Sequence, residues 1–351
     1  MHDQVSAQAM QACFRQVLEL CAVGPGEKVA VLSEGDLAQD YSEQFLAAAA
    51  TLGAETARVN VAAAGAAGPE ARIANLCASA LASDAAAMRT LKEADLVIDL
   101  MLLLFSREQI AIQAAGTRML MVVEPFEILA RLLPTRALRA RVEAAEARLH
   151  AATELRFTNA AGTDVSYTLE QFNGPPPACI LTEYGYTDTP GRWDHWPSGF
   201  LASTGTATGV EGRVVMDVGD LVLPWKSELR APISFTIRDG RVTAIEGGED
   251  ARRLREYIEG FADPRAYAVS HIGWGMNEHA RWTVDVPGIA MEARACYGNV
   301  LFSTGPNTEF GGDNDTPCHL DLPMRNCSLW LDGEIIVRDG DLVPADLRAS
   351  R

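Results

Sequence analysis

The feature that most constrains this chain is a run of short, continuously apolar segments in its first 150 residues, each separated from the next by a segment of helical period. Apolar residues recur at helical spacing from Val5 to Val23 and stop at Gly24-Pro25-Gly26, after which Lys28 to Leu32 reads as a strand. The pattern continues with a helix over Tyr41 to Leu52, a strand over Thr56 to Val61, a helix over Ala85 to Glu93 and a continuous apolar strand over Ala94 to Leu104. A helix over Gln109 to Ala115, a strand over Arg118 to Val123 and one long helix over Phe126 to His150 complete it. Strands without polar alternation are buried on both faces, and helices between them supply the crossovers of a parallel, doubly wound sheet. Ligands of such sheets sit at the strand ends. Gly24-Pro25-Gly26 precedes a strand instead of following one, so it is a turn; no dinucleotide or P-loop signature occurs, which argues against a nucleotide cofactor.

After residue 150 the texture changes. Leu155 to Asn159 and Asp164 to Leu169 flank a Gly162 turn, Ile233 to Ile237 and Val242 to Glu246 flank Asp239-Gly240, and Leu329 to Leu331 and Glu334 to Arg338 flank Asp332-Gly333. Each is a hairpin pattern. A helix is expected over Asp250 to Gly260, and Ala62 to Gly68 reads as a loop. The expected architecture is α/β: a Rossmann-like parallel-sheet domain over 1–150, then a mostly antiparallel α+β domain over 151–351 that carries the chemistry. A length of 351 residues suits two domains at about 150 residues each. The net charge of -17 disfavours nucleic acid and anionic lipid as partners. No apolar run reaches about 18 residues, the N-terminus lacks a secretory pattern, and the seven cysteines show no CxxC spacing. Reduced thiols in a cytoplasmic protein are the expectation.

Of six histidines, His2 lies at the terminus and His150 ends a helix, where the dipole favours a cation. The other four fall between residues 195 and 319. In Thr316-Pro317-Cys318-His319-Leu320-Asp321-Leu322-Pro323, residues i and i+2 of a strand share a face, so His319 and Asp321 present an imidazole and a carboxylate about 6 to 7 Å apart along the chain. Leu320 and Leu322 then point into a core. The same two residues equally suit a histidine bonded to a backbone carbonyl and an aspartate capping the turn before Pro323. Ser270-His271-Ile272-Gly273-Trp274-Gly275 supplies a third donor, and two histidines with one carboxylate form the facial set that suits Fe(II), zinc or manganese. His279, in a helix-start pattern at Asn277-Glu278-His279, reads as a surface residue, and Glu292 with Arg294 as an ion pair or a substrate clamp. The stretch from Thr182 to Gly199 gathers Glu183, Tyr184, Trp193 and His195 with glycine and proline, a loop fit for a planar ring: aromatic faces to stack on, His195 or Glu183 for a proton. A Gly-rich loop from Ser303 to Gly312 precedes the His-x-Asp and frames it from another side.

These segments resemble the 2,5-dihydroxypyridine 5,6-dioxygenases of bacterial nicotinate and pyridine-ring degradation. The resemblance is carried by TEYGYTDTPGRWDHWPSGF (182–200), MDVGDLVLPWK (216–226), SHIGWG (270–275), YGNVLFSTGPNTEFGG (297–312) and TPCHLDLPMRNC (316–327), with weaker matches over nearly the whole chain. It implies a non-haem Fe(II) ring-cleaving dioxygenase, iron held by His271, His319 and Asp321, a hydroxylated N-heterocycle and dioxygen as substrates, cleavage between C5 and C6 to N-formylmaleamate, and a homo-oligomer. Within such a site Leu104 and Phe105 are expected to wall the ring, Tyr184 and Trp193 to lie beside it, and Ser303 or Thr304 to orient it. The family's proton-handling histidine would follow the ADLVIDLMLLL strand, where this chain has Phe105, so His195 or Glu183 takes that role here or the substrate differs. The family's fold looks like that of thermophilic metallo-aminopeptidases, which makes a two-metal hydrolase the alternative. Its metals, about 3.5 to 4 Å apart, need bridging carboxylates, for which Glu183 and Glu292 are the extra candidates. A non-enzymatic ring-binding protein is a third reading.

Overall fold

The structure, a computed structural model, describes residues 6–62, 81, 84–104, 106–170, 180–286 and 288–349. The chain divides into two compact units: residues 1–135, 184–197 and 287–289 form one, and 136–183, 198–286 and 290–351 the other.

The first unit contains α1 (Ala7–Leu20), β1 (Lys28–Glu34), α2 (Gln39–Thr51), β2 (Glu55–Val61), α3 (Ala85–Lys92), β3 (Leu96–Asp99), α4 (Arg107–Gln113), β4 (Arg118–Met121) and α5 (Phe126–Arg131). Side-chain caps start three of its helices: Ser6 accepts from the Ala9 amide, Asp84 from Ala87 and Ser106 from Gln109. The strands pair in parallel in the order β2-β1-β3-β4, and a fifth strand from later in the chain completes the sheet beside β4. Every residue of β3 and β4 is buried, as continuous apolar runs require.

Two expectations fail in this unit. The strand expected over Ala94 to Leu104 stops at Asp99, because the Asp99 carboxylate accepts the Met101 amide (2.8 Å) and the Leu103 amide (2.7 Å), folding the chain into a turn with Leu102 at φ +67°. The long helix expected over Phe126 to His150 is two helices, α5 and α6 (Arg136–Ala151). Pro134 has no amide to donate and disfavours helical backbone at Leu133, and the freed Leu132 carbonyl accepts from Trp196 Nε1 at 2.8 Å.

The second unit begins with α6 and continues through β5 (Glu154–Asn159), β6 (Asp164–Leu169) and β7 (Ile180–Glu183). β8 (Trp193–His195) belongs to the first unit and is the strand beside β4. This corrects the expectation of a loop there, since pairing with β4 and full burial make it a strand despite its flanking glycines and prolines. The second unit resumes with β9 (Phe200–Ser203), β10 (Gly205–Met216), β11 (Leu221–Val222), β12 (Ser227–Glu228), β13 (Ile233–Arg238), β14 (Arg241–Gly247), α7 (Glu249–Glu259), β15 (Val269–Gly275), α8 (Glu292–Ala295), β16 (Val300–Thr304), β17 (Leu320–Met324), β18 (Cys327–Leu331), β19 (Glu334–Arg338) and β20 (Asp341–Leu342). The three hairpins appear as β5/β6, β13/β14 and β18/β19. An eight-stranded sheet, β14-β13-β10-β6-β5-β18-β19-β20, lies in the same unit as a five-stranded antiparallel sheet, β17-β16-β15-β9-β7, and Phe235 meets Phe302 edge-on at 5.4 Å between them. The Asn277 segment does not start a helix: its side chain accepts from the His279 amide in a turn, leaving His279 exposed. Cys13, Cys21, Cys296, Cys318 and Cys327 are free thiols; Cys77, Cys179 and most of Ala62 to Gly68 lie outside the described residues.

Candidate metal centre

The five-stranded antiparallel sheet of the second unit supplies the centre. Its strand β16 lies between β15, which carries His271, and β17, which carries Asp321 with His319 just before it. Register sets Ser303 of β16 directly across from Asp321, and Thr304 across from Leu320. Strand alternation therefore puts Ser303 on the face of Asp321 and sends Thr304 to the other face with the buried leucines. Continuing the register places Gly305 opposite His319, and a Cβ on Gly305 would run into the Cys318 carbonyl and come within 3.1 Å of His319 Cα. A small residue on β16 and a glycine just past its end leave the space over which side chains from its two neighbours meet. On the other side, the β15/β16 register shifts between Val269 and Ile272, at the position of His271. Such irregularities re-aim single side chains.

The outcome is tight. His271 Nε2 lies 3.2 Å from Asp321 Oδ1, and His319 Nε2 lies 3.1 Å from the same oxygen. One donor atom from each of the three residues falls within 4.8 Å of the others, and the rings of His271 and His319 are 5.5 Å apart. His271 and Asp321 are buried, and His319 is nearly so.

Ser270 determines which nitrogen of His271 faces this point. Its hydroxyl donates its one hydrogen to the Pro306 carbonyl and sits 3.0 Å from His271 Nδ1, so Nδ1 carries a hydrogen and donates to Ser270 Oγ. Nε2 is then bare. A bare nitrogen and a carboxylate oxygen 3.2 Å apart repel unless a cation or proton lies between them. Burial lowers the His271 pKa and keeps the imidazole neutral, the Asp321 contact working against it. Burial alone would raise Asp321, but the two imidazoles outweigh it and hold the carboxyl well below the usual range. Two imidazoles and one carboxylate suit a divalent first-row ion, and three protein donors leave coordination positions open.

Glu183 and Arg294, both singled out in the sequence, are brought together. Arg294 Nη2 donates to both Glu183 oxygens at 2.8 and 3.0 Å, and Ser198 Oγ donates to Glu183 at 3.0 Å, with all three residues buried. Arg294 thus pairs with Glu183 and not with its neighbour Glu292, and its guanidinium lies over the Phe200 ring at 5.0 Å. A carboxylate so held is a poor bridging ligand for a second metal.

Sequence reasoning missed Glu309. It sits in a single 3-10 turn, Thr308–Phe310, in the Gly-rich loop, 3.9 Å from His271 Nδ1, both oxygens shut off from solvent and without a hydrogen-bond partner among the described residues. Burial, then the Asp321 charge, raises its pKa well above the usual carboxylate range. A glutamate inside a glycine-rich loop gives no periodic signal.

The remaining site candidates belong to the first unit. His195 ends β8, opposite Met121 of β4, fully buried and with its ring 6.4 Å from Trp193. Asp194 holds this segment by accepting the amides of Tyr184, Gly185 and His195 and the Arg192 guanidinium. Tyr184 lies under that guanidinium at 4.2 Å. Leu104 is buried in the turn built by Asp99, and Phe105 lies outside the described residues.

The family model described as 2,5-dihydroxypyridine 5,6-dioxygenase matches residues 9–344. A 2,5-dihydroxypyridine 5,6-dioxygenase of Pseudomonas putida KT2440 is 50% identical over 270 residues, 75% of each chain. The solved structure of the 2,5-dihydroxypyridine dioxygenase from that strain superposes with a TM-score of 0.91 and 43% identity, covering 98% of this chain and 100% of that one. Wild-type AmpT from Thermus thermophilus, at 15% identity and a TM-score of 0.59 over 96% of this chain and 100% of that one, shares the fold.

Proposed function

Since the chain belongs to the 2,5-dihydroxypyridine 5,6-dioxygenase family and is a dioxygenase, we propose that it opens 2,5-dihydroxypyridine, or a close hydroxypyridine, between C5 and C6 with Fe(II) held by His271, His319 and Asp321. The observation that carries the metal assignment is the bare His271 Nε2 facing Asp321 Oδ1, a contact that a cation bound between them would relieve. Bound there, Fe(II) supplies the redox chemistry by which dioxygen attacks an electron-rich ring. Both oxygen atoms end in the product, N-formylmaleamate.

The chain's own residues prepare that chemistry. Ser270 fixes the His271 tautomer, and Asp321 neutralises half the charge of a divalent ion. Ser303, fully buried with its hydroxyl unpartnered among the described residues and on the face of Asp321, offers a hydrogen bond to a ring oxygen. Leu104, Phe105, Tyr184 and Trp193 are proposed as apolar and aromatic walls, and His195 as the carrier of the phenolic proton in place of the histidine that Phe105 replaces. Glu183 serves as the anchor of Arg294. The assembly is proposed to be a homo-oligomer. No helix among the described residues is long and apolar enough to cross a membrane.

The test is anaerobic reconstitution with Fe(II), addition of 2,5-dihydroxypyridine and admission of oxygen. The expected result is loss of the dihydroxypyridine absorbance with one equivalent of oxygen consumed, at about one iron per chain. Iron-loaded protein that takes up no oxygen would overturn the proposal. Repeating the assay with Phe105→His over a panel of hydroxypyridines shows whether Phe105 marks a change of substrate.

A further inference from the structure

Arg294 and Glu309 lie on separate elements of the second unit that share neighbours. The turn that carries Glu309 packs against β7, and β7 ends in Glu183, the carboxylate that holds Arg294. Phe310, next to Glu309, lies in one apolar cluster with Phe200, the ring beneath the Arg294 guanidinium, and its own ring is 5.1 Å from that of His271. The Arg294 charge also acts on both His271 and Glu309, adding to burial and His319 in lowering His271 against the raising contact with Asp321, and opposing the rise of Glu309.

Both groups have polar atoms left over. Arg294 Nε is buried without an acceptor, although the same guanidinium makes two hydrogen bonds to Glu183, and both Glu309 oxygens are buried without a donor. Unpaired buried polar atoms cost roughly 1–3 kcal/mol each, so they mark a place where a ligand completes the pairing. A second metal ion does not fit, because the guanidinium would repel it. What fits is a neutral edge that offers one acceptor and one donor side by side.

Resting on the ring substrate proposed above, we infer that Arg294 and Glu309 read the lactam edge of the hydroxypyridine, Arg294 donating to the oxygen on C2 and Glu309 accepting from the ring N1–H. A 2-hydroxypyridine exists largely as its lactam, whose carbonyl and N–H lie side by side as in a cis amide. Glu309 offers an acceptor to N1–H whether or not it carries a proton. The guanidinium, pinned by Glu183 and stacked on Phe200, is preorganised as a donor. Arg294 and Glu309 therefore set specificity for a ring nitrogen beside an oxygenated carbon, while the metal centre handles the opposite side of the ring.

The experiment measures binding without turnover. Iron-loaded protein under anaerobic conditions is titrated with 2,5-dihydroxypyridine, with the N-methyl lactam, which lacks only N1–H, and with 3-hydroxypyridine, which lacks the C2 oxygen and, being no lactam, N1–H as well. Wild type should prefer the full ligand over each analogue by roughly ten- to hundredfold. Arg294→Gln should keep the preference over the N-methyl lactam and show no larger preference over 3-hydroxypyridine, whereas Glu309→Ala should lose the preference over the N-methyl lactam and keep part of that over 3-hydroxypyridine, with iron content unchanged in both. Arg294→Lys keeps a cation against Glu183 if the glutamine variant folds poorly, and should lose the same part of the preference over 3-hydroxypyridine. Variants that retain both preferences, or a Glu309→Ala protein that loses its iron, would overturn the inference. Failure of the ring-cleavage proposal shows separately, as wild-type protein that binds the ligands but consumes no oxygen.

Discussion

Ser270 has one hydrogen and gives it to Pro306, and from that single fact the protonated nitrogen of His271 follows. Replacing Ser270 with alanine leaves Nδ1–H without its acceptor and the ring free to change tautomer. Metal affinity, measured by competition with a chromogenic chelator, should fall about 10- to 100-fold while the fold is kept, the usual effect of removing a group that orients a metal-bound histidine. Unchanged affinity would mean that packing against Phe310 alone orients the ring. Asp220 shows the opposite electrostatic case. Burial raises its carboxyl to about 6, although the Arg325 and Asp217 amides donate to it. An acid with a raised folded pKa contributes stability that is fully present below its unfolded value near 4 and is lost as pH rises through about 6. The melting temperature of Asp220→Asn relative to wild type should therefore shift in favour of the variant between pH 4.5 and 7.5. A constant difference across that range would show that Asp220 does not titrate there.

At the scale of elements, the centre depends on β16 presenting nothing large between its neighbours. Gly305 adopts φ +114°, which L side chains rarely tolerate, and the space its Cβ would need is taken by the Cys318 carbonyl and the His319 backbone. Gly305→Ala should cost about 1–3 kcal/mol in stability and also push the start of β17 aside. Thermal unfolding and iron stoichiometry measured on one preparation check both effects. A variant that is destabilised yet binds metal normally would show that the start of β17 yields without moving His319. The turn after β3 is a second such device, since two amides folded around the Asp99 carboxylate place Leu104 at the C-terminal end of a parallel strand, where α/β sheets carry their ligand loops.

For the whole molecule, metal and fold are linked. An ion bound by native protein at 100 times its dissociation constant adds about 2.7 kcal/mol to stability, so a chelator should lower the melting temperature of the loaded wild type. In His319→Ala/Asp321→Ala the chelator should have no effect. An equal response in both proteins would place the stabilising ion elsewhere. The sequence by itself determined the layered order of the molecule, because burial on both faces, helical period and hairpin turns are local properties that each segment expresses alone. Period two likewise puts His319 and Asp321 on one face of their segment, a relation that two residues of spacing settle without any distant partner. Tertiary structure decided what local patterns do not encode. Trp193 to His195 became a strand through pairing with β4, far earlier in the chain, and Glu183 met Arg294 across a separation of 111 residues. Glu309 entered from a loop without period. The centre closed because Ser303 on the strand between His271 and Asp321, and Gly305 just past its end, are small residues with no chemical signature, and strand order is set by the packing of the whole sheet.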